Sequence, residues 1–404
     1  MSIYDKFKPL LAIRQELKNH GVESVNVVIE KVISQTEAVI NGKRTILAGT
    51  NNYLGLTAEA DAIEIACEAM RQQGTGTNGS RMANGTFSSH VALERDFAEF
   101  YGLPYCIVFS TGYVANLGLI SGLAGAGDVI LIDAHSHASI YDGCRLAGAE
   151  VIRFHHNDVN DLEKRLRRLG ERARDAVIII EGIYSMLGDT APIAKIVELK
   201  QKYSSILVID EAHSLGILGE GGRGLCEAAD VIHEMDYITG TFSKSLGSIG
   251  GFCVSPHQEL EYIRCSSRPY IFTASPTPAT IATTRITLQR IQSRPELRER
   301  LWANSHQLYN HLQALGYELG PEPSPVISVK MQGLPLALAM WQGLLERGIY
   351  VNVILPPAIP ENNLLLRISL SASHTPEQMT AICHAFEAMR PMCVSSKAIS
   401  AEII

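Results

Sequence analysis

The sequence predicts an α/β protein: a large domain on a mainly parallel sheet, followed by a smaller α+β C-terminal domain. Two observations carry that reading. Between residues 106 and 209, short continuous apolar runs alternate with helical stretches, the pattern of strands covered on both faces by crossover helices. After about residue 278 the pattern changes to two long helices and then mixed short strands and helices.

Taken in order, residues 4–19 read as a short amphipathic helix. Residues 25–33 and 38–47 read as strands joined near Asn41-Gly42, a dipeptide that tolerates positive φ. Residues 58–73 and 90–101 have helical period and composition. Apolar runs at 106–109, 129–132, 151–154, 177–180 and 206–209 are then separated by helices at 114–123, 139–146, 158–169 and 193–203. One further strand is expected at 251–254. Helices at 279–293 and 295–315 lead to a strand at 326–330, a helix at 335–347, strands at 350–354 and 364–369, and a helix at 376–389. The implied domains are an N-terminal segment over 1–50, a large domain over 51–280 and a small domain over 281–404.

Composition narrows the function. With 35 Lys and Arg against 42 Asp and Glu, the formal charge is −7, which does not suit a dedicated nucleic-acid binder. Apolar residues at 46% and charged residues at 19% match a globular protein with a large core rather than a disordered chain. No apolar stretch approaches the ~20 residues of a membrane span, and residues 1–10 carry Asp5, Lys6 and Lys8 with no apolar block behind them. The eight cysteines are scattered without close pairs, as expected of free thiols in a reducing cytoplasm. The N-terminal helix, with Lys6, Lys8, Arg14 and Lys18, is read as packing on a partner subunit, with contact to a membrane surface as the alternative.

Four patterns could carry chemistry. Gly74-Thr75-Gly76-Thr77-Asn78-Gly79 is formally a dinucleotide fingerprint, but a helix precedes it where a strand is required. A loop of tight turns is the better reading. Asp133-Ala134-His135-Ser136-His137, together with His155-His156 and Asp210-Glu211-Ala212-His213, offers carboxylates and imidazoles that could hold a hydrolytic metal. The alternative is a set of loop polar groups at strand ends.

In the third pattern, Asp210 ends a buried apolar strand, where a carboxylate is costly without a positive partner. A protonated pyridine nitrogen is one such partner; a turn-capping Asp is the other reading. In the fourth, Gly240-Thr241-Phe242-Ser243-Lys244-Ser245-Leu246-Gly247 sets one Lys among hydroxyls and glycines after an apolar strand. Such a Lys can form a Schiff base if it is desolvated, although a lone Lys is more often a solvated surface group. Ser110-Thr111-Gly112-Tyr113, between a strand and a helix, could turn backbone N–H groups toward a phosphate.

These residues carry a family resemblance. The segments Thr50–Gly55, Gly79–Arg81, Asn84–Thr86, Ser136–Ser139, Glu181–Met186, Asp210–His213, Gly240–Lys244 and Leu366–Ser369 are similar to those of the α-oxoamine synthases. These are fold-type-I pyridoxal-phosphate transferases, in which an amino acid condenses with an acyl thioester and CO2 is lost. The resemblance implies a seven-stranded, mainly parallel sheet. Residues 109–113, 136–143, 156–159, 242–245, 250–255 and 268–275 are most like the bacterial members that join L-serine to palmitoyl-CoA, giving 3-oxosphinganine, CoA and CO2. Those members carry Arg-Pro-Pro-Ala-Thr on the acyl side, where this chain has Leu355-Pro356-Pro357-Ala358-Ile359. Sister condensations forming 8-amino-7-oxononanoate, 2-amino-3-ketobutyrate or 5-aminolevulinate are the alternatives.

The resemblance also implies roles. Lys244 would hold pyridoxal 5'-phosphate covalently and act as base. Asp210 would pair with its ring nitrogen, His213 and Ser185 would approach its phenolic oxygen, and His137 would stack on its ring. Gly112, Tyr113, Thr241 and Ser243 would surround the phosphate, with Thr273 reaching it from a second subunit. Arg367 would take the substrate carboxylate, and Asn51 would line the same pocket. The implied assembly is an obligate homodimer with shared sites, acting on an amino acid and an acyl-CoA or acyl-carrier-protein thioester, with no metal.

Overall fold

The structure, a computed structural model, describes residues 2–22, 25–356 and 364–401. Residues 357–359 of the acyl-side departure lie outside them. The chain divides into two units, Asn51–Leu301 and Met1–Thr50 with Trp302–Ile404.

The larger unit is built on seven strands: β1 (Tyr105–Phe109), β2 (Val129–Asp133), β3 (Glu150–Phe154), β4 (Val177–Glu181), β5 (Ile206–Asp210), β6 (Tyr237–Thr241) and β7 (Gly251–Ser255). They lie in the order β1-β7-β6-β5-β4-β2-β3. The pairs β2–β3, β2–β4, β4–β5 and β5–β6 are parallel, and β7 is antiparallel to both β6 and β1. Six strands therefore run one way, and only β7 opposes them. Every position of β2, β4, β6 and β7 is buried, because the crossover helices cover both faces. Ile107, Phe109, Ile130, Ile132, Ile179 and Val208 form one core cluster with Leu119 and Ile120 of α1 (Gly112–Leu123) and Ile140 of α2 (Ala138–Ala147).

This topology gathers six carboxyl strand ends and the amino end of β7 along one edge of the sheet, where ligands bind in open α/β folds. The residues that leave those ends are Ser110–Gly112, Ala134–His137, Gly182–Ser185, Glu211–His213 and Phe242–Lys244.

In the smaller unit, the helix expected over 4–19 is a short 3-10 turn, Ile3–Phe7, followed by Lys8–Asn19. Ile3, Tyr4 and Leu11 of this segment are largely exposed. The strand expected over 25–33 shrinks to Lys31–Val32, which pairs with Ala38–Val39, while Val28 and Ile29 lie exposed outside the ladder. The Asn41-Gly42 turn, with φ of 51° and 70°, lies inside the second expected strand and makes a hairpin of Glu37–Ile40 and Lys43–Leu47. Lys43–Leu47 also pairs in parallel with Ile349–Tyr350, which ties the first residues of the chain to the C-terminal segment. A separate antiparallel sheet orders Val326–Lys330, Leu365–Ser369 and Asn352–Ile354. No helix among the described residues is long and apolar enough to cross a membrane.

At the β2 and β4 ends of the large sheet, His156 lies between two carboxylates. Its Nδ1 is 2.8 Å from Asp133 Oδ1 and its Nε2 is 2.7 Å from Asp189 Oδ2. His135 stacks on it with ring centroids 3.9 Å apart, and Tyr184 meets it edge-on. Asp133 also accepts from the backbone N–H groups of His135 and Asn157. The cluster therefore ties the loop after β2 to the loop after β4.

Burial works against charge on His156, but the two carboxylates outweigh it and raise its pKa to about 9. Because the folded value exceeds the unfolded value near 6.5, this interaction contributes fully below about pH 6.5 and fades as the pH rises through about 9. His156→Ala should cost about 3–5 kcal/mol near pH 6, since it leaves two buried carboxylates facing each other. Urea unfolding of both proteins should show that difference shrinking between pH 6.5 and about 10. A difference independent of pH would contradict the charged state of His156.

Candidate active site

A cavity of about 250 Å³ opens at this edge, entirely within the larger unit. Among its lining residues are Gly112, Tyr113, His137, Asp210, His213, Thr241, Ser243 and Lys244. Ser185, Thr273 and Asn51 are not among them. Ser185 lies in the turn after β4 and Thr273 in the loop after the short helix Arg268–Ile271. Asn51 Oδ1 accepts from Tyr53 Oη, which is also 2.8 Å from His213 Nδ1. Arg367 belongs to the other unit, buried on Leu365–Ser369, and its Nη1 donates to Ser369 Oγ.

One end of the cavity is built to meet an anion. Thr111 caps α1 by accepting from the Val114 N–H, so the first turn of the helix presents its N–H groups at the lining residues Gly112 and Tyr113. The hydroxyls of Thr241 and Ser243 lie 2.9 Å apart beside this turn. Gly112 is required by close approach: a Cβ there would sit 2.7 Å from Thr241 Cβ. A Cβ on Gly251 would lie 2.5 Å from the Thr111 carbonyl oxygen. The small residues keep this cradle open.

The floor is acidic. Asp210 is 5% exposed at the end of β5. Its Oδ2 accepts from Asn116 Nδ2 at 2.7 Å and its Oδ1 from the Ala212 N–H at 2.9 Å. Glu181, at the end of β4, is also buried. Burial pushes its carboxyl well above the usual range, and the charge of Asp210 adds to the effect. It accepts from the His137 backbone N–H.

His137 is the N-cap of α2. Burial lowers its pKa, as does the Lys244 ammonium, while Asp210 opposes the shift. Lys244 follows β6 in the turn 242–248, closed by the Gly247 N–H donating to the Lys244 carbonyl. A cation, a carboxylate and an anion cradle thus share one cavity. The combination fits a planar, cationic, phosphorylated ring.

The structure gives no support to a metal centre at Asp133, His135 and His137. Asp133 is engaged by His156, and His137 Nδ1 by Ser139. No group of three or more His, Cys, Asp or Glu among the described residues can hold a metal ion. The Gly74–Gly79 segment follows the helix Ala60–Gln73 and is held by Asn84 Nδ2, which donates to the carbonyls of Thr77 and Asn78. Sequence reasoning misses Asn116, although a polar side chain inside the apolar run 112–123 is a signal, because a buried amide must find partners. Glu181 stands out in the sequence only within the longer Glu181–Met186 segment.

Comparison with known proteins agrees with this geometry. The family model described as aminotransferase class I and II matches residues 43–386. A serine palmitoyltransferase of Caulobacter vibrioides is 51% identical over 382 residues, 95% of each chain. That of Sphingomonas paucimobilis is 47% identical, with 96% of this chain and 92% of the other covered. A solved structure of a Sphingomonas paucimobilis serine palmitoyltransferase variant, with a pyridoxal-phosphate–myriocin adduct bound, superposes with a TM-score of 0.95 at 46% identity, covering 98% of this chain and all of that one. An 8-amino-7-oxononanoate synthase of Lysinibacillus sphaericus is 38% identical over 86% of this chain and 90% of its own. The chain therefore belongs to the aminotransferase class I and II family and, within it, to the serine palmitoyltransferases.

Proposed function

We propose that the cavity binds pyridoxal 5'-phosphate and that the protein condenses L-serine with a long-chain acyl thioester, palmitoyl-CoA in the first instance, releasing CoA and CO2 to form 3-oxosphinganine. The observation that carries this reading is the meeting of Lys244, Asp210 and the capped helix start in one cavity. The 51% identical relative supports the choice of substrates.

When bound, the cofactor supplies an electron sink for the pair left on the amino-acid Cα. The residues do the rest. Lys244 would hold the cofactor covalently, and its Nζ is the group to take the Cα proton of the amino acid. Asp210, oriented by Asn116 and the Ala212 N–H, keeps the ring nitrogen protonated. His213, braced by Tyr53, and Ser185 would approach the phenolic oxygen. Gly112, Tyr113, Thr241 and Ser243 hold the phosphate.

His137, which lines the cavity, would stack on the ring and donate to the substrate carboxylate or the thioester oxygen, where negative charge develops. Arg367 and Asn51 enter this reading on their chemistry alone: a planar guanidinium suits a carboxylate, and an amide can bond either substrate group. We assign a homodimer in which Thr273 of one copy serves the phosphate of the other.

Lys244→Ala should abolish the visible absorption band of the cofactor-loaded protein and lower turnover about 10³-fold. Borohydride treatment of the wild type should fix the cofactor to the peptide containing Lys244, and an unlabelled Lys244 would reject the assignment. Gly112→Ala should weaken cofactor binding about tenfold or more, read by absorbance titration, because its methyl collides with Thr241. Unchanged affinity would remove the cradle from the phosphate site. The substrate reading is tested by product mass. Serine, glycine and alanine are each offered with short and long acyl-CoA, and only serine with a long chain should give the expected ketone efficiently. A preference for alanine with a pimeloyl thioester, or for glycine with a short one, would replace this reading with a sister condensation.

A further inference from the structure

His137 sits at the end of a hydrogen-bond chain whose direction can be followed donor by donor. A carboxylate only accepts, so the group of Asn116 that lies 2.7 Å from Asp210 Oδ2 must be its NH2. Its amide oxygen then accepts from Thr239 Oγ1 at 2.9 Å. The same NH2 donates to Ser139 Oγ at 2.9 Å, which fills an acceptor site of that hydroxyl. Ser139 Oγ lies 2.8 Å from His137 Nδ1. The Ser139 backbone N–H, which can only donate, also points at Nδ1, at 3.2 Å.

A proton on Nδ1 would face that N–H directly, so Nδ1 is bare and the hydroxyl of Ser139 donates to it. The proton of a neutral ring with bare Nδ1 is on Nε2. Nε2 has no protein hydrogen-bond partner among the described residues, and His137 lines the cavity. Asn116, Ser139 and Thr239 are all buried, so water does not compete for the hydrogen bonds among them. The backbone of His137 is held separately by Glu181.

We propose that Asn116 and Ser139 are positioning residues that fix His137 as the neutral imidazole protonated on Nε2, so that it serves the reaction as a donor and never as the base. Proton removal is left to Lys244. The depressed pKa of His137, caused first by desolvation, acts in the same direction. Asn116 also donates to Asp210, so one amide links the buried acid of the cavity floor to the serine that holds the imidazole. The proposal rests on the functional reading only for what receives the Nε2 proton.

Histidine labelled with nitrogen-15 in the full-length, cofactor-loaded protein tests this directly, since bare and protonated ring nitrogens give distinct NMR shifts. His137→Gln identifies the relevant signals by their disappearance. The wild type should show a bare Nδ1 and a protonated Nε2 near neutral pH. A proton on Nδ1, or on both nitrogens, overturns the proposal without any need for a variant to fold.

Asn116→Ala and Ser139→Ala keep the Ser139 backbone N–H at Nδ1 but loosen the side-chain hold on the ring, and should lower kcat about tenfold with little change in KM for the amino acid, the kinetic pattern of an interaction that matters mainly in the transition state. Wild-type kcat in both variants also overturns it. The two readings fail separately. A wild type that condenses no amino acid yet shows the expected nitrogens defeats the functional reading and upholds the tautomer. A protonated Nδ1 in an enzyme active on serine does the reverse.

Discussion

A carboxylate buried at the end of an apolar strand is the constraint around which the site is organised. Asp210 ends β5, where burying a charge is costly unless hydrogen bonds and an opposite charge compensate. The protein supplies two donors, Asn116 Nδ2 and the Ala212 N–H, and sets Lys244 in the same cavity. The Asn116 hydrogen bond in turn determines how that amide is turned, and hence what it offers to Ser139 and His137. A cationic ring nitrogen, as in the proposed function, would complete the balance. The function follows from that requirement more directly than from the fold, which hosts many chemistries.

Rigidity comes from the sheet. Six strands deliver their carboxyl ends to one edge, and the loops that leave them are cross-linked to each other instead of standing free. His156 binds Asp133 and Asp189, joining two of those loops. Glu181 binds the His137 backbone, joining β4 to the start of α2. Gly112 and Gly251 let backbones approach Thr241 and Thr111 to distances that no side chain would permit. Groups mounted this way keep their geometry through a reaction, which is where much of an enzyme's electrostatic advantage lies.

His137 and His156 show how strongly surroundings decide the state of one residue type. Both lie near the end of β2, His156 half-buried and His137 open to the cavity. Two carboxylates hold His156 in the charged form, while burial and a neighbouring ammonium keep His137 neutral. The charged ring ties the ends of neighbouring strands together, and the other ring faces the cavity.

Much of the architecture is legible in the sequence because continuous apolar runs of four or five residues, buried on both faces, have few alternative readings. The Lys244 and Asp210 neighbourhoods also stand out, since a lone Lys among glycines and hydroxyls and an acid closing an apolar strand are unusual locally. Local pattern fails at residues 25–33, where apolar residues stay exposed and only Lys31–Val32 enters a ladder. It cannot separate a metal cluster from a strut at Asp133 and His156, because that depends on which loops meet. Nor can it foresee that Lys43–Leu47 pairs with Ile349–Tyr350, or that Asn116 faces Asp210, 94 residues away. By itself the sequence determined the elements and the chemical character of the cavity, since those follow from side-chain type and short-range periodicity. The tertiary structure decided which polar groups become partners, and so which histidine is charged and which is neutral, because hydrogen-bond direction and burial depend on neighbours that only long-range packing brings together.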